Sequence, residues 1–168
     1  FPAWREESCE KQSLLVFSEQ GIGDVIMFAT CLPDLLTHAR NVTVEVDPRM
    51  VGLFARSFPK VRVIPRPAID VPERMHPPGI DLQISLADLP ERYRRSPLDF
   101  PRQASLLQAD SALQQKWRQR FQQLGTGLKV GISWFGGKNL ELQTRRSLPL
   151  ADWEPILKTP GVHFVNLQ

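Results

Sequence analysis

An apolar run, Leu14-Leu15-Val16-Phe17, passes directly into Ser18-Glu19-Gln20-Gly21-Ile22-Gly23-Asp24, and Val25, Ile26, Phe28, Ala29 and Leu32 then recur at helical spacing. The first run is short and β-prone, and the second pattern has the 3.6-residue period, so the stretch predicts strand, glycine turn, helix. Gly21 and Gly23 let the backbone turn tightly and approach a ligand, with Gln20 at the same bend. The free N–H groups at the start of a helix carry partial positive charge, which suits phosphate or diphosphate.

Asp24 has two readings. Aspartate is among the best helix N-caps, worth about 1 kcal/mol, and by residue type alone that is the simpler assignment. The other is a general base at the carboxyl end of a strand, the edge where open α/β sheets bind ligands. G-x-G-D is not the dinucleotide fingerprint, which needs a third glycine and a later acidic residue.

The rest of the chain repeats the alternation. Asp24 to about Arg40 reads as helix, kinked or restarted at Pro33, with Asn41 as its stop. Val42 to Val46 is a β-branched strand. Asp47 caps a further helix with Pro48 in its first turn and Met50, Leu53, Phe54 and Phe58 on one face. Val61 to Ile64 is the third strand, and β-α-β-α-β predicts an α/β fold with a parallel sheet and right-handed crossovers. Pro65 to Gly79 is a proline-rich loop with a helical turn near Glu73, and Ile80 to Leu86 is another strand. Arg92, Arg94 and Arg95 just beyond it read as solvated loop or as anion-steering charges.

Asp110 and Ser111 offer caps for an amphipathic helix with Leu113, Trp117, Phe121 and Leu124 on one face, ended by Gly125-Thr126-Gly127. Composition turns strand-forming there. We therefore divide the chain into a first Rossmann-like domain over 1–124 and the start of a second over 125–168. In the second, Leu128 to Trp134 is a strand, Leu150 to Lys158 a helix with Pro155 in its first turn, and Val162 to Leu167 a strand. So short a unit cannot cover both faces of a parallel sheet, so further sequence or another chain must complete it. Phe135-Gly136-Gly137-Lys138 and Thr144-Arg145-Arg146-Ser147 lie between strand and helix, as a second anion site or as a solvated loop.

The totals narrow the class. With 42% hydrophobic and 23% charged residues the chain is globular, and no apolar run nears the ~20 residues of a membrane span. It reads as cytoplasmic. Without an initiator Met it reads as a fragment that continues in both directions. Cys9 and Cys31 are too few for a disulfide framework and read as reduced, buried thiols. His38, His76 and His163 lack metal-ligand spacing, so no metal and no cofactor is expected. Trp4, Trp117, Trp134 and Trp153 read as core or interface anchors. A net charge of +3 fits an anionic ligand without requiring nucleic acid.

The segments Glu19 to Asp24, Met27-Phe28 and Leu32-Pro33 resemble the opening of bacterial glycosyltransferases often fused behind tetratricopeptide repeats, and more distantly of ADP-heptose heptosyltransferases. Val130 to Trp134, Arg146 to Leu150, Trp153 and Gly161 to Gln168 resemble the start of the same families' second domain. The resemblance covers most of the chain, loosely over Pro65 to Arg102. It implies the GT-B architecture, two Rossmann-like domains facing across a cleft, and inverting, metal-independent transfer of a sugar from a nucleotide diphosphate donor to a glycan or protein acceptor. In heptosyltransferases the aspartate matching Asp24 is the proposed base, and a lysine matching Arg146 binds donor phosphate. Here arginine keeps the charge and changes its geometry.

On this reading Gly136, Gly137, Lys138 and Arg146 hold the donor, Gln20, Gly21 and Gly23 form the cleft backbone, and the piece alone is inactive. Tetratricopeptide repeats would precede it in the parent chain. The rival reading is a non-catalytic binding module of the same fold. A nucleic-acid binder using Arg92, Arg94, Arg95, Lys116, Arg118 and Arg120 ranks last because those charges are dispersed.

Overall fold

The computed structural model describes residues 1–5, 9–67, 77–102, 105–136, 145 and 147–167. The chain divides into two compact units, Phe1–Asp110 and Ser111–Gln168. The helix that the composition change at Gly125 assigned to the first domain thus falls in the second unit.

In the first unit β1 (Cys9–Phe17), β2 (Ala39–Val46), β3 (Arg62–Pro65) and β4 (Leu82–Ser85) form one parallel sheet in the order β3-β2-β1-β4. Residues alternate across such a sheet. Leu14, Val16, Val42, Val44, Val46, Leu82 and Ile84 therefore share the face that enters the core, with Val25, Leu32, Leu35, Phe54 and Phe58 from the helices.

The segment after the glycine turn is broken into three pieces. Helix α1 (Ile22–Phe28) is followed by a 3₁₀ turn at Ala29–Cys31 and then by α2 (Leu32–Leu35), with Pro33 in the first turn of α2. Proline is tolerated there because the first N–H groups of a helix lack internal partners anyway. Asn41 is not a helix stop. The chain is already in β2 at Ala39, whose side chain is buried in the core cluster.

After β2 the side chain of Asp47 caps a 3₁₀ turn at Pro48–Met50, accepting from the Arg49 N–H at 2.9 Å, and α3 (Val51–Ser57) follows. The Arg49 fork also meets the same carboxylate at 2.9 and 2.8 Å. These donors hold the Asp47 carboxyl well below the usual carboxylate range. Stability from this group is present above the ordinary carboxylate pKa near 4 and is lost as pH falls through its depressed folded value. An NMR titration of Asp47 should show that depressed midpoint, and Arg49→Gln should bring it back toward the ordinary value; an unchanged midpoint would remove Arg49 as the cause.

In the second unit α5 (Ser111–Gln122) precedes β5 (Leu128–Ile132), and a 3₁₀ turn at Leu150–Trp153 leads into α6 (Glu154–Leu157) and then β6 (Val162–Asn166). β5 and β6 pair in parallel. A Cβ on Gly127 would lie 2.6 Å from the Gly161 carbonyl, so only glycine fits that approach. No residue of α5 is buried, and Trp117, 43% exposed, rests against Phe121 rather than anchoring a core. The helical turn near Glu73 and His76 lie outside the described residues.

Candidate functional site

The strand order places a switch point at β1. The chain steps outward from β1 to β2 to β3, and β4 then pairs on the opposite side of β1, with Phe17 opposite Ser85. Crossovers leave such a point in opposite directions, opening a crevice at the carboxyl ends of the strands. The glycine turn stands at that end of β1.

Gly21, with extended backbone (φ −68°, ψ 164°), is the N-cap of α1, and its carbonyl accepts from the Val25 N–H at 3.0 Å. No side chain caps the helix. The cap reading of Asp24 is therefore corrected: Asp24 is the third residue of α1, too far inside it to serve as the cap. Its carboxylate is exposed and leans back over Gly21, with Oδ2 3.5 Å from where a Cβ would stand. Among the described residues it has no hydrogen bond or ion pair. Gln20 is half-buried, and its Oε1 accepts from the Glu19 N–H at 3.2 Å.

Gly23 is helical, and a Cβ there would meet nothing within 4 Å. Nothing in the protein itself requires glycine at this position. Gly23→Ala should therefore raise stability by about 0.5–1 kcal/mol, the ordinary helix-interior difference. A urea midpoint that falls instead would reveal a constraint on this turn beyond its open surroundings.

Two residues of this edge escaped the sequence reading. Ser18 is fully buried, and among the described residues its Oγ has no hydrogen-bond partner. Arg66, just past the end of β3, donates from Nη1 to the Ser18 carbonyl at 3.0 Å, and its own N–H donates to the Val46 carbonyl at 2.6 Å. The guanidinium thus spans from β3 to the end of β1. An arginine directly beyond a strand's carboxyl end was the available signal. Nearby a cleft of about 230 Å³ opens between Trp4, Phe17, Ser85, Asp88 and Arg92.

Arg92 and Arg94 are neither solvated loop nor free anion-steering charges, whereas Arg95 is exposed just past the helix end, as the solvated reading expected. They belong to α4 (Leu89–Tyr93) and its end. Arg92 lies 4.3 Å above the Trp4 ring and donates to the Trp4 carbonyl at 3.1 Å, while Arg95 donates to the Glu91 carbonyl at 3.0 Å. The Arg94 side chain, 4% exposed, pairs with Asp34 at 2.8 Å and donates to the Thr30 and Tyr93 carbonyls. These contacts tie Arg92 and Arg94 to neighbouring elements, although among the described residues the buried Arg94 Nε has no hydrogen-bond partner.

In the second unit β5 leads through Ser133, Trp134 and Phe135 to Gly136, which is exposed and open around its Cα. The Leu148 N–H returns to the Trp134 carbonyl at 3.3 Å, and the Ser147 Oγ and Trp153 Nε1 are hidden from solvent with no hydrogen-bond partner among the described residues. Gly137, Lys138 and Arg146 lie outside the described residues.

Burial pushes both thiols up from their ordinary pKa, and Cys9 Sγ donates to the His38 carbonyl at 3.6 Å. His38 is exposed, sharing Nδ1 with Thr37 Oγ1 at 2.8 Å. Among the described residues no three His, Cys, Asp or Glu side chains gather as a metal site, and no helix is long and apolar enough to cross a membrane.

The chain is similar to Protein FlbA of Caulobacter vibrioides. The two are 34% identical over 179 aligned residues, which take in 98% of this chain. The chain spans 30% of the length of that relative. No family model matches the chain, and no solved structure does.

Proposed function

We propose that this chain is the acceptor side and the beginning of the donor side of a GT-B glycosyltransferase that moves a sugar from a nucleotide diphosphate to a glycan or protein hydroxyl. The observation that carries this reading is an exposed, unpartnered carboxylate, Asp24, on a glycine turn at the switch point of a parallel sheet. Asp24 takes the acceptor's proton while the acceptor oxygen bonds to the anomeric carbon. The bond from that carbon to the diphosphate breaks, with inversion, and the electron pair leaves on the phosphate oxygen. Lys138 and Arg146 neutralise that departing charge, beside the open backbone at Gly136 and Gly137. The unpartnered Ser147 Oγ and Trp153 Nε1 support a donor site in this region, since buried polar groups ordinarily find a partner. The open space over Gly23 admits the acceptor close to the backbone.

Calorimetric titration with a panel of nucleotide diphosphates and their sugars, on this chain and on the full-length parent protein, tests the proposal. Binding by the parent and weak or no binding by the chain is the expected result. No binding by either, with both shown to be folded, favours the non-catalytic module.

A further inference from the structure

The opposite edge of the first sheet carries a second feature. Strand alternation puts Ser13, Asn41, Thr43 and Arg62 on the face turned away from the core, at the middle of β1, in the first part of β2 and at the start of β3. With Arg40 and Lys60 they line a cleft of about 290 Å³, closed on one side by Pro78, Gly79 and Ile80. Three cations thus meet in one concavity, and among the described residues no carboxylate lines it. Arg40, Lys60 and Arg62 form no ion pair among the described residues. Asp81, next to Ile80, has its Oδ2 engaged by the Ser13 N–H at 2.8 Å, and Glu45 lies further along β2, outside the lining.

Like charges gathered without a counter-ion repel one another, and an anion seated among them relieves that repulsion. Two arginine forks match phosphate oxygens in pairs, and Lys60 adds a compact charge. The volume is at the lower end for small-molecule sites. A polynucleotide instead needs a long basic track. We propose that this cleft binds a small phosphate-bearing ligand, a phosphate monoester or diphosphate, at an edge remote from the glycine turn. The inference does not depend on the glycosyltransferase reading.

The test is an NMR titration of the chain with pyrophosphate at constant ionic strength, with sulfate and a short poly-glutamate peptide as comparisons. Pyrophosphate should move the amides of Asn41, Thr43, Lys60, Arg62 and Gly79. Arg40→Gln, Lys60→Gln and Arg62→Gln are exposed substitutions, and each should weaken binding about three- to tenfold without moving the urea midpoint. Vesicles containing phosphatidate, compared with neutral vesicles, tell a lipid head group from a soluble phosphate; equal pelleting with both kinds overturns the phosphate assignment. So do equal shifts with sulfate, tighter binding of the peptide, no response at millimolar pyrophosphate, or a response confined to Gly21–Asp24.

Discussion

Asp24→Asn in the full-length parent protein is expected to lower sugar transfer by about 10²- to 10⁴-fold, the usual contribution of a positioned general base. The amide keeps the size and shape of the carboxylate and removes only its ability to take a proton. No described residue pairs with Asp24, so the substitution leaves no group of the protein stranded. Stability and donor affinity should therefore stay close to those of the parent. This split separates a base from a binding residue. Normal turnover by the variant would sink the assignment, and an equal loss of donor binding would move Asp24 into the donor site instead. Gly23→Ala beside it is the steric counterpart. It should keep or raise stability while weakening acceptor binding, because the added methyl occupies the space over the turn.

Breaking the Asp34–Arg94 pair should give the largest stability loss among the polar contacts of the first unit. The guanidinium is 4% exposed, whereas the Asp34 side chain is 46% exposed. The two single variants are therefore not equivalent. Asp34→Asn leaves a buried cation facing the Thr30 and Tyr93 carbonyls and the Phe100 ring without a counter-ion, which should cost about 2–3 kcal/mol. Arg94→Met fills much of the same volume and lets Asp34 return to water, but strands those carbonyls at about 2 kcal/mol. In the double variant the loss of Asp34 should add almost nothing, since its partner is already gone. Urea unfolding of all four proteins reads this coupling, and losses that simply add would refute it. The pair joins α2 to the end of α4, so the same variants should loosen the packing of these two helices.

Much of the first unit was legible because its elements carry their own signals. The β-branched run Val42 to Val46, the Asp47-Pro48 start and the apolar face of Met50, Phe54 and Phe58 all emerged where local pattern placed them. The second unit was harder to read. Its strands appeared where expected, yet α5 joined them rather than the first domain, because a composition change marks where propensity shifts and not which neighbours a helix packs against. Asn41 misled for a related reason: as a residue type it favours helix ends, and nothing local reveals that Ala39 already pairs with Cys9.

The sequence by itself determined the alternation of strands and helices, the glycine turn after the first strand and the placement of Pro33 and Pro48 in first turns. Each is set by the backbone preferences and spacing of adjacent residues. Only the tertiary structure decided that β4 returns beside β1, and with it the switch point on which Asp24 stands. It also spent Arg92 and Arg94 on Trp4 and Asp34, brought Arg66 to the Ser18 carbonyl, and gathered Arg40, Lys60 and Arg62 around one cleft. These contacts join residues far apart in the chain, and a side chain's charge does not reveal which distant group will neutralise it until the sheet order fixes who its neighbours are.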